Sequence, residues 1–138
     1  MGELRLTLLD THAILWWQAG STRLSAPARR AIEAARTILV SPISFWEVAL
    51  LVEKRRVELD RDVVVWVQDF LEGDRVELAG LTSTVAVAAG RLPAAGFEGD
   101  PADAIIYATA RERGATIVSK DLRIRGHALT RRDVKVIW

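Results

Sequence analysis

The sequence predicts an α/β fold: a single α/β/α sandwich with a central, mainly parallel sheet of four or five strands. Short apolar stretches alternate along the chain with segments of helical periodicity. The stretches lack the regular polar positions of a strand with one wet face, as is typical of a parallel sheet covered on both sides. The length of 138 residues suits one domain, so we expect residues 1–138 to form a single unit.

In the first half of the chain, the predicted strands are apolar or β-branched runs that end at turn or capping residues. The helices are predicted from apolar spacing, and one of them also has a serine cap followed by a proline in its first turn. In order, these elements are the strand Leu4–Leu9, the helix Ile14–Gln18, a helix from Ser25 to Ala35, the strand Thr37–Val40, and a helix from Ser44 that closes at Lys54, Arg55 and Arg56.

The second half continues the alternation, with Asp62 as a helix cap and Gly114 as a helix end. Val63–Val67 is the most ambiguous segment, because five apolar residues also suit a strand. We interpret His127 as a surface residue. The predicted elements are the helix Val63–Leu71, the strand Arg75–Leu78, the helix Thr82–Arg91, a loop from Pro93 to Gly99, the helix Ala102–Arg113, and the strands Ala115–Ser119 and Val134–Ile137.

The composition excludes several kinds of protein. Without cysteine there is no disulfide scaffold, thiolate zinc site or cysteine nucleophile, and two histidines are too few for a histidine metal cage. No apolar run approaches the roughly 18 residues of a membrane span, and the charges near the start do not suit a signal peptide. We therefore expect a cytoplasmic protein without membrane association.

The basic residues are concentrated late in the chain. Overall, 19 basic residues face 18 acidic ones, but from Ala110 onward there are eight basic and three acidic residues. This local excess fits a polyanionic partner, and a solvated surface explains it equally well.

Four acidic residues fall where strands end or beside apolar helix positions: Asp10, Glu47, Asp103 and Asp121. Each also has a structural interpretation, since a lone acid in such a place is often a turn residue, a helix cap or half of an ion pair. If the fold brings the four together, their mutual repulsion calls for a hard cation. Oxygen-only ligands suit Mg²⁺ or Mn²⁺ better than Zn²⁺.

Four segments of the chain resemble the motifs of PIN-domain ribonucleases of the VapC-like toxin type, and they occur in that family's order. They are Leu8–Trp17, Val40–Val48, Asp100–Ala110 and Ile117–Asp121. The resemblance covers essentially the whole chain and implies a PIN-like α/β/α fold. The opening segment is the most specific of the four.

The resemblance implies that Asp10, Glu47, Asp103 and Asp121 form a metal-binding acidic centre that holds Mg²⁺ or Mn²⁺. Thr11 and Ser119 are implied as hydroxyls that hydrogen-bond the ligands. Asp100 is either a further ligand or a cap of the following helix, and we favour the cap.

The chain departs from the family pattern near the third motif. Related toxins often have His and Arg just before it, where this chain has Glu98 and Gly99, and Ala104 stands where many have Arg. These departures remove positive charge near the expected path of the phosphates. The sequence leaves open how they affect turnover.

The implied activity is metal-dependent endonucleolytic cleavage of RNA, which leaves a 3′-hydroxyl and a 5′-phosphate. Arg123 and Arg125 are candidates for contacts to RNA phosphates. The resemblance also implies a homodimer and a cognate antitoxin, whose tail we expect at Trp16, Trp46 and Leu50. The sequence does not identify the RNA, the cleavage site or the antitoxin.

Two other classes remain open from the residues. One is a PIN-like module that binds RNA or protein without cutting. The other is a receiver-type signalling domain, although such a domain needs adjacent acids after its first strand, and only Asp10 stands there.

Overall fold

The computed structural model describes residues 6–138, in which five short strands form one fully parallel sheet. The strands are β1 (Leu6–Leu9), β2 (Thr37–Val40), β3 (Val76–Leu78), β4 (Thr116–Val118) and β5 (Val136–Ile137). They lie in the order β3-β2-β1-β4-β5. The predicted parallel sheet is confirmed, and the first two residues of the predicted strand Leu4–Leu9 lie outside the described residues.

Strand β1 is the centre of the sheet. Its Leu8 is in register with Leu39 of β2 on one side and with Ile117 of β4 on the other. These three side chains are fully buried and project to the same face. The neighbouring positions on each strand project to the opposite face, as the pleat of a strand requires.

Seven α-helices lie in residues 6–138, together with one 3₁₀ turn at Pro93–Ala95. None of these helices is long and apolar enough to cross a membrane. The α-helices are α1 (Thr11–Gln18), α2 (Ala26–Ala34), α3 (Pro42–Glu53), α4 (Val63–Leu71), α5 (Ser83–Arg91), α6 (Pro101–Arg113) and α7 (Leu122–Arg131).

The helices cover both faces of the sheet and produce two cores. One core joins Leu9, Ile38, Val40 and Val118 to apolar residues of α1, α2, α3 and α4. The other joins the opposite face of the sheet to α5, α6 and α7. This is the predicted three-layer sandwich.

Side-chain caps set where several helices begin. Ser25 accepts a hydrogen bond from Ala28 N, and Asp62 accepts one from Val64 N, so both predicted caps are confirmed. The segment Val63–Leu71 is a helix. Helix α1 begins at Thr11 rather than Ile14 because Asp10 caps it, and α3 begins at Pro42 rather than Ser44 because Ser41 caps it.

Helix α7 was not predicted from the sequence, and the predicted surface position of His127 is wrong. Half of this 10-residue helix is arginine, glycine or threonine, so few apolar residues mark it as a helix. Its buried face contains Ile124 and Ala128 as well as His127. The His127 ring is packed edge-on against Phe97 and Tyr107, at 5.1 and 4.9 Å between centroids, and burial lowers the pKa of the imidazole.

We expect Leu8→Ala to lower the free energy of unfolding by about 3 kcal/mol, because it opens a cavity at the centre of the sheet. Leu122→Ala is the matched control, since the Leu122 side chain is 77% exposed, and it should change stability by less than about 0.5 kcal/mol. Urea denaturation measures both changes. Equal losses in the two variants would contradict this account of the core.

Candidate metal centre

Two of the predicted acidic residues, Asp10 and Asp121, follow the carboxyl ends of the adjacent strands β1 and β4. The chain proceeds from β1 to β2 and β3 on one side and then returns to β4 and β5 on the other, so the strand order reverses between β1 and β4. Asp10 N donates to Val118 O at 3.0 Å, which holds the two strand ends together. In open α/β sheets, ligands bind in the crevice at such a reversal.

Asp10 is buried, with 8% of its surface exposed, and both of its carboxylate oxygens are engaged. Oδ1 accepts a hydrogen bond from Thr11 N at 2.7 Å, and Oδ2 accepts one from Ser119 Oγ at 2.6 Å. Burial raises the pKa of Asp10, and these two hydrogen bonds oppose the shift without cancelling it.

Glu47 reaches the same region from α3. Thr11 Oγ1 donates to Glu47 Oε1 at 2.6 Å and lies 3.0 Å from Ser44 Oγ. Burial raises the pKa of Glu47, and the charges of Asp10 and Asp100 raise it further. Ser44 is fully buried and was not singled out from the sequence. Its position three residues before Glu47, on the same helix face, was the available signal.

Asp103 is buried in the first turn of α6 and forms a capping box with Asp100. Asp100 Oδ1 accepts from Asp103 N at 2.9 Å, while Asp100 N donates to Asp103 Oδ2 at 3.3 Å. Asp100 is therefore the cap of α6. Burial, followed by the charges of Asp100, Asp121 and Asp10, raises the pKa of Asp103 to about 7.

Gly99 is required by the close approach of the chain to Asp103. A Cβ atom at position 99 would lie 2.5 Å from the Phe97 ring and 2.9 Å from Asp103 Cβ. The departure from the family pattern at this position thus allows tight packing against the start of α6.

Asp121 caps α7 and is linked to Asp10 through Ser119. Its Oδ1 accepts from the N–H groups of Arg123 and Ile124 at 2.9 and 3.0 Å. Asp121 N donates to Ser119 Oγ, which in turn donates to Asp10. Partial burial raises the pKa of Asp121, but the Ile124 N–H and the Arg123 guanidinium outweigh it, so the net shift is downward.

The Arg123 guanidinium lies between two of the predicted ligands. Its Nη2 is 3.2 Å from Asp103 Oδ2 and 3.3 Å from Asp121 Oδ2. Arg125, the other predicted RNA contact, is half-buried on α7. Arg123 therefore supplies positive charge to the acids themselves.

The predicted partner-binding residues lie at the surface. On α3, Trp46 is 57% exposed, and Leu50, one turn later, is half-buried. Trp16 on α1 is half-buried and contacts the His12 and Trp138 rings. Trp138 was not singled out from the sequence, because only the pairing of β4 with β5 brings it near α1.

The residues present fit a divalent cation in their chemistry. Burial raises the pKa of Asp10, Glu47 and Asp103, which means that their surroundings stabilise the negative carboxylates too little. The Arg123 guanidinium supplies part of the positive charge that they need, and a cation would supply the rest. Oxygen donors of this kind are those that Mg²⁺ and Mn²⁺ prefer. Within residues 6–138, no three His, Cys, Asp or Glu side chains already surround one point as metal ligands. The carboxylates would have to close around an ion.

We expect Asp103→Asn to stabilise the metal-free protein at neutral pH by about 1–2 kcal/mol, because it removes a buried charge that folding disfavours. The carboxyl titrates at about 7 in the folded protein against 3.8 for a free group, so its cost grows as the pH rises through this interval. The Tm gap between variant and parent in EDTA should therefore be small at pH 4 and full at pH 7.5.

Asp121→Asn is the matched control for this prediction. The pKa of Asp121 is lowered, so its charge favours folding, and the variant should gain no stability at neutral pH. A Tm of Asp103→Asn below that of the parent at pH 7.5 would contradict the electrostatic account.

Comparison with known proteins identifies the family. A profile of the PIN domain matches residues 7–128. Ribonuclease VapC22 of Mycobacterium tuberculosis (strain ATCC 25618 / H37Rv) is 46% identical over 120 residues, which cover 87% of this chain and 90% of that protein. This match covers nearly the full length of both proteins.

Solved structures of related toxins have the same fold. Mycobacterium tuberculosis VapC20, described as a Sarcin-Ricin loop cleaving toxin, superposes with a TM-score of 0.67 at 17% identity, covering 88% of this chain and 94% of that one. VapBC2 from Rickettsia felis, bound to a DNA fragment from their promoter, gives 0.64 at 16% identity over 95% and 96%. At these identities the likeness shows the fold alone. The family profile and the VapC22 match exclude the receiver alternative. The chain belongs to the PIN-domain family, as a member of its VapC ribonuclease group.

Proposed function

We propose that this protein is a metal-dependent endoribonuclease whose active centre consists of Asp10, Glu47, Asp103 and Asp121. The observation that carries the proposal is the placement of acids at the strand reversal, where Asp10 and Asp103 are buried and Asp103 shares the Arg123 guanidinium with Asp121. Burial, followed by the charges of Asp100, Asp121 and Asp10, raises the pKa of Asp103. Folding disfavours such a cluster unless a cation compensates for it. The presence of several acids here supports a role in binding Mg²⁺ or Mn²⁺.

Thr11 and Ser119 hold two of the proposed metal ligands in place. A divalent cation, when bound, lowers the pKa of a water molecule and neutralises charge on the phosphoryl oxygens. Asp10 is oriented for ligation by the hydrogen bonds from Thr11 and Ser119, and Glu47 by the hydrogen bond from Thr11. Fixed carboxylates reduce the cost of assembling the centre.

The reaction we propose is hydrolysis of a phosphodiester bond. The oxygen of water bonds to phosphorus, the bond from phosphorus to O3′ breaks, and O3′ takes up a proton. The products are a 3′-hydroxyl and a 5′-phosphate. Arg123 and Arg125 bring positive charge to the start of α7 and are suited to contact phosphates of the RNA. We place the reaction in the cytoplasm.

We further propose two protein partners. A cognate antitoxin would lay its tail across α3, where the exposed Trp46 and the half-buried Leu50 lie on the same helix as Glu47. A second copy of the chain would cover the exposed apolar side chains of Leu78, Leu81 and Val87. The solved complexes of related VapBC pairs support the first partner.

We expect Asp10→Asn to reduce RNA cleavage by at least about 100-fold, because a ligand is lost. The Asn oxygen can still accept from Thr11 N, and its NH₂ group can donate to Ser119 Oγ, so the local structure should persist. The assay incubates total RNA with Mg²⁺ or Mn²⁺ and maps the cleaved ends, and EDTA should abolish cleavage. Asp74→Asn is the matched control, since Asp74 is exposed, and it should leave the rate unchanged. RNA binding without cleavage by the parent protein would favour the binding-module alternative.

We expect Trp46→Ala to weaken binding of the cognate antitoxin about 10-fold or more, because large aromatic side chains dominate such interfaces. Metal affinity should change less than antitoxin affinity. Leu129→Ala, at a 79% exposed position on α7, is the control and should bind the antitoxin normally. Isothermal titration calorimetry measures both affinities. Unchanged antitoxin binding by Trp46→Ala would show that Trp46 does not contribute to the interface, and the proposed antitoxin site on α3 would be wrong.

A further inference from the structure

A cavity of about 350 Å³ opens directly beside the acidic centre. One side of it is formed by Asp10 and Asp121, and the other by aromatic and basic side chains. We call the latter group, His12, Trp16, Lys120 and Trp138, the aromatic pocket. The mechanism proposed above uses none of these four residues.

The rings of the aromatic pocket are tilted relative to one another. The centroids of His12 and Trp16 are 5.5 Å apart with an interplanar angle of 50°, and those of Trp16 and Trp138 are 5.7 Å apart at 56°. Both contacts are tilted, so neither pair forms a parallel stack. Trp16 and Trp138 are half-buried, and His12 is exposed. A cavity bounded by such rings suits a flat, aromatic ligand.

Lys120 adds a positive charge at the border between the rings and the acids. It directly precedes Asp121 in the chain, and its Nζ lies 5.7 Å from the centroid of the Trp16 ring, over its face. No carboxylate in the described part of the chain forms an ion pair with it. The ammonium is therefore free to bind a phosphate while its stem remains against the indole.

We propose that the aromatic pocket holds the nucleobase next to the scissile phosphate, stacked on an indole face, with Lys120 on the adjoining phosphate. This inference rests on the proposed endoribonuclease function. Single-stranded RNA is bound by aromatic rings that stack on bases and by cations that contact the backbone, and the pocket combines both. Its volume accommodates one base, and its border with Asp10 and Asp121 places that base beside the bond to be cut.

The pocket thus positions the RNA by a contact that tolerates several bases. Stacking depends on the π face that every base has, so it supplies affinity and register more than sequence selectivity. The larger rings of purines cover more of an indole than those of pyrimidines. We therefore expect a preference for a purine at this one position.

Binding of a short labelled RNA that spans the mapped cleavage site tests the proposal by fluorescence anisotropy. All proteins carry Asp103→Asn, which removes a proposed metal ligand so that the RNA should not be cut, and Asp103 does not line the cavity. In this background, Trp138→Leu should weaken binding about 5- to 100-fold, and Trp138→Phe should restore most of it. Lys120→Gln should weaken binding and reduce its salt dependence. Val64→Ala, at a 60% exposed position on α4, should bind within twofold of the background protein.

An abasic nucleotide placed at each position of the RNA in turn identifies the stacked base. At one position next to the scissile bond, the abasic RNA should bind the background protein as weakly as intact RNA binds the Trp138→Leu variant. At that position Trp138→Leu should cause no further loss, because the same stacking contact is already absent.

Three results would overturn the inference. They are normal RNA binding by Trp138→Leu, an equal loss at every abasic position, and a loss of antitoxin binding by Trp138→Leu without any loss of RNA binding. A separate measurement tests the proposed function, which is refuted if the parent protein does not cut RNA with Mg²⁺ or Mn²⁺. A parent that cuts RNA, together with variants that bind it normally, would refute only the pocket.

Discussion

The repulsion among acidic side chains at one edge of the sheet is the constraint on which the rest of the structure depends. Asp10 and Asp103 are buried, and burial, followed by the charges of neighbouring acids, disfavours their ionisation. The two apolar cores must supply the free energy that holds these groups together. The acidic cluster therefore weakens the metal-free fold.

The fold offsets part of this repulsion with its own dipoles. Asp10, Asp100 and Asp121 each cap a helix, and Asp103 lies in the first turn of α6. The N-terminal end of a helix carries partial positive charge and unpaired N–H groups, which favour an anion there. The Ser119 hydroxyl joins Asp10 and Asp121, so the ends of β1 and β4 form a single polar unit. The same residues thus begin helices and supply the candidate ligands, which explains why a cap and a ligand look alike in the sequence.

Most of the fold was predictable because local rules and burial agree along the chain. The strand Thr37–Val40 is a short apolar and β-branched run, β3 places Val76 and Leu78 on either side of Glu77, and caps such as Ser25, Asp62 and Asp100 mark the helix starts. Helix α7 was not predicted because few of its residues are apolar and it is rich in arginine. His127 was misplaced for the same reason, since its burial depends on Phe97 and Tyr107 from other elements. The hydroxyl of Ser44 and the ring of Trp138 are brought to the site by packing between elements distant in sequence.

The sequence by itself determined the fold class and the family and pointed to the candidate acidic residues, because these depend on residue types at fixed local spacing. Only the tertiary structure decided which charges meet. Arg123 lies between Asp103 and Asp121. Burial and the neighbouring acids raise the pKa of Asp103, whereas the Ile124 N–H and the Arg123 guanidinium outweigh partial burial at Asp121 and lower its pKa. Electrostatic interactions and desolvation depend on distances in space, and residues more than a hundred positions apart, such as Asp10 and Ser119, become neighbours only when the parallel strands pair.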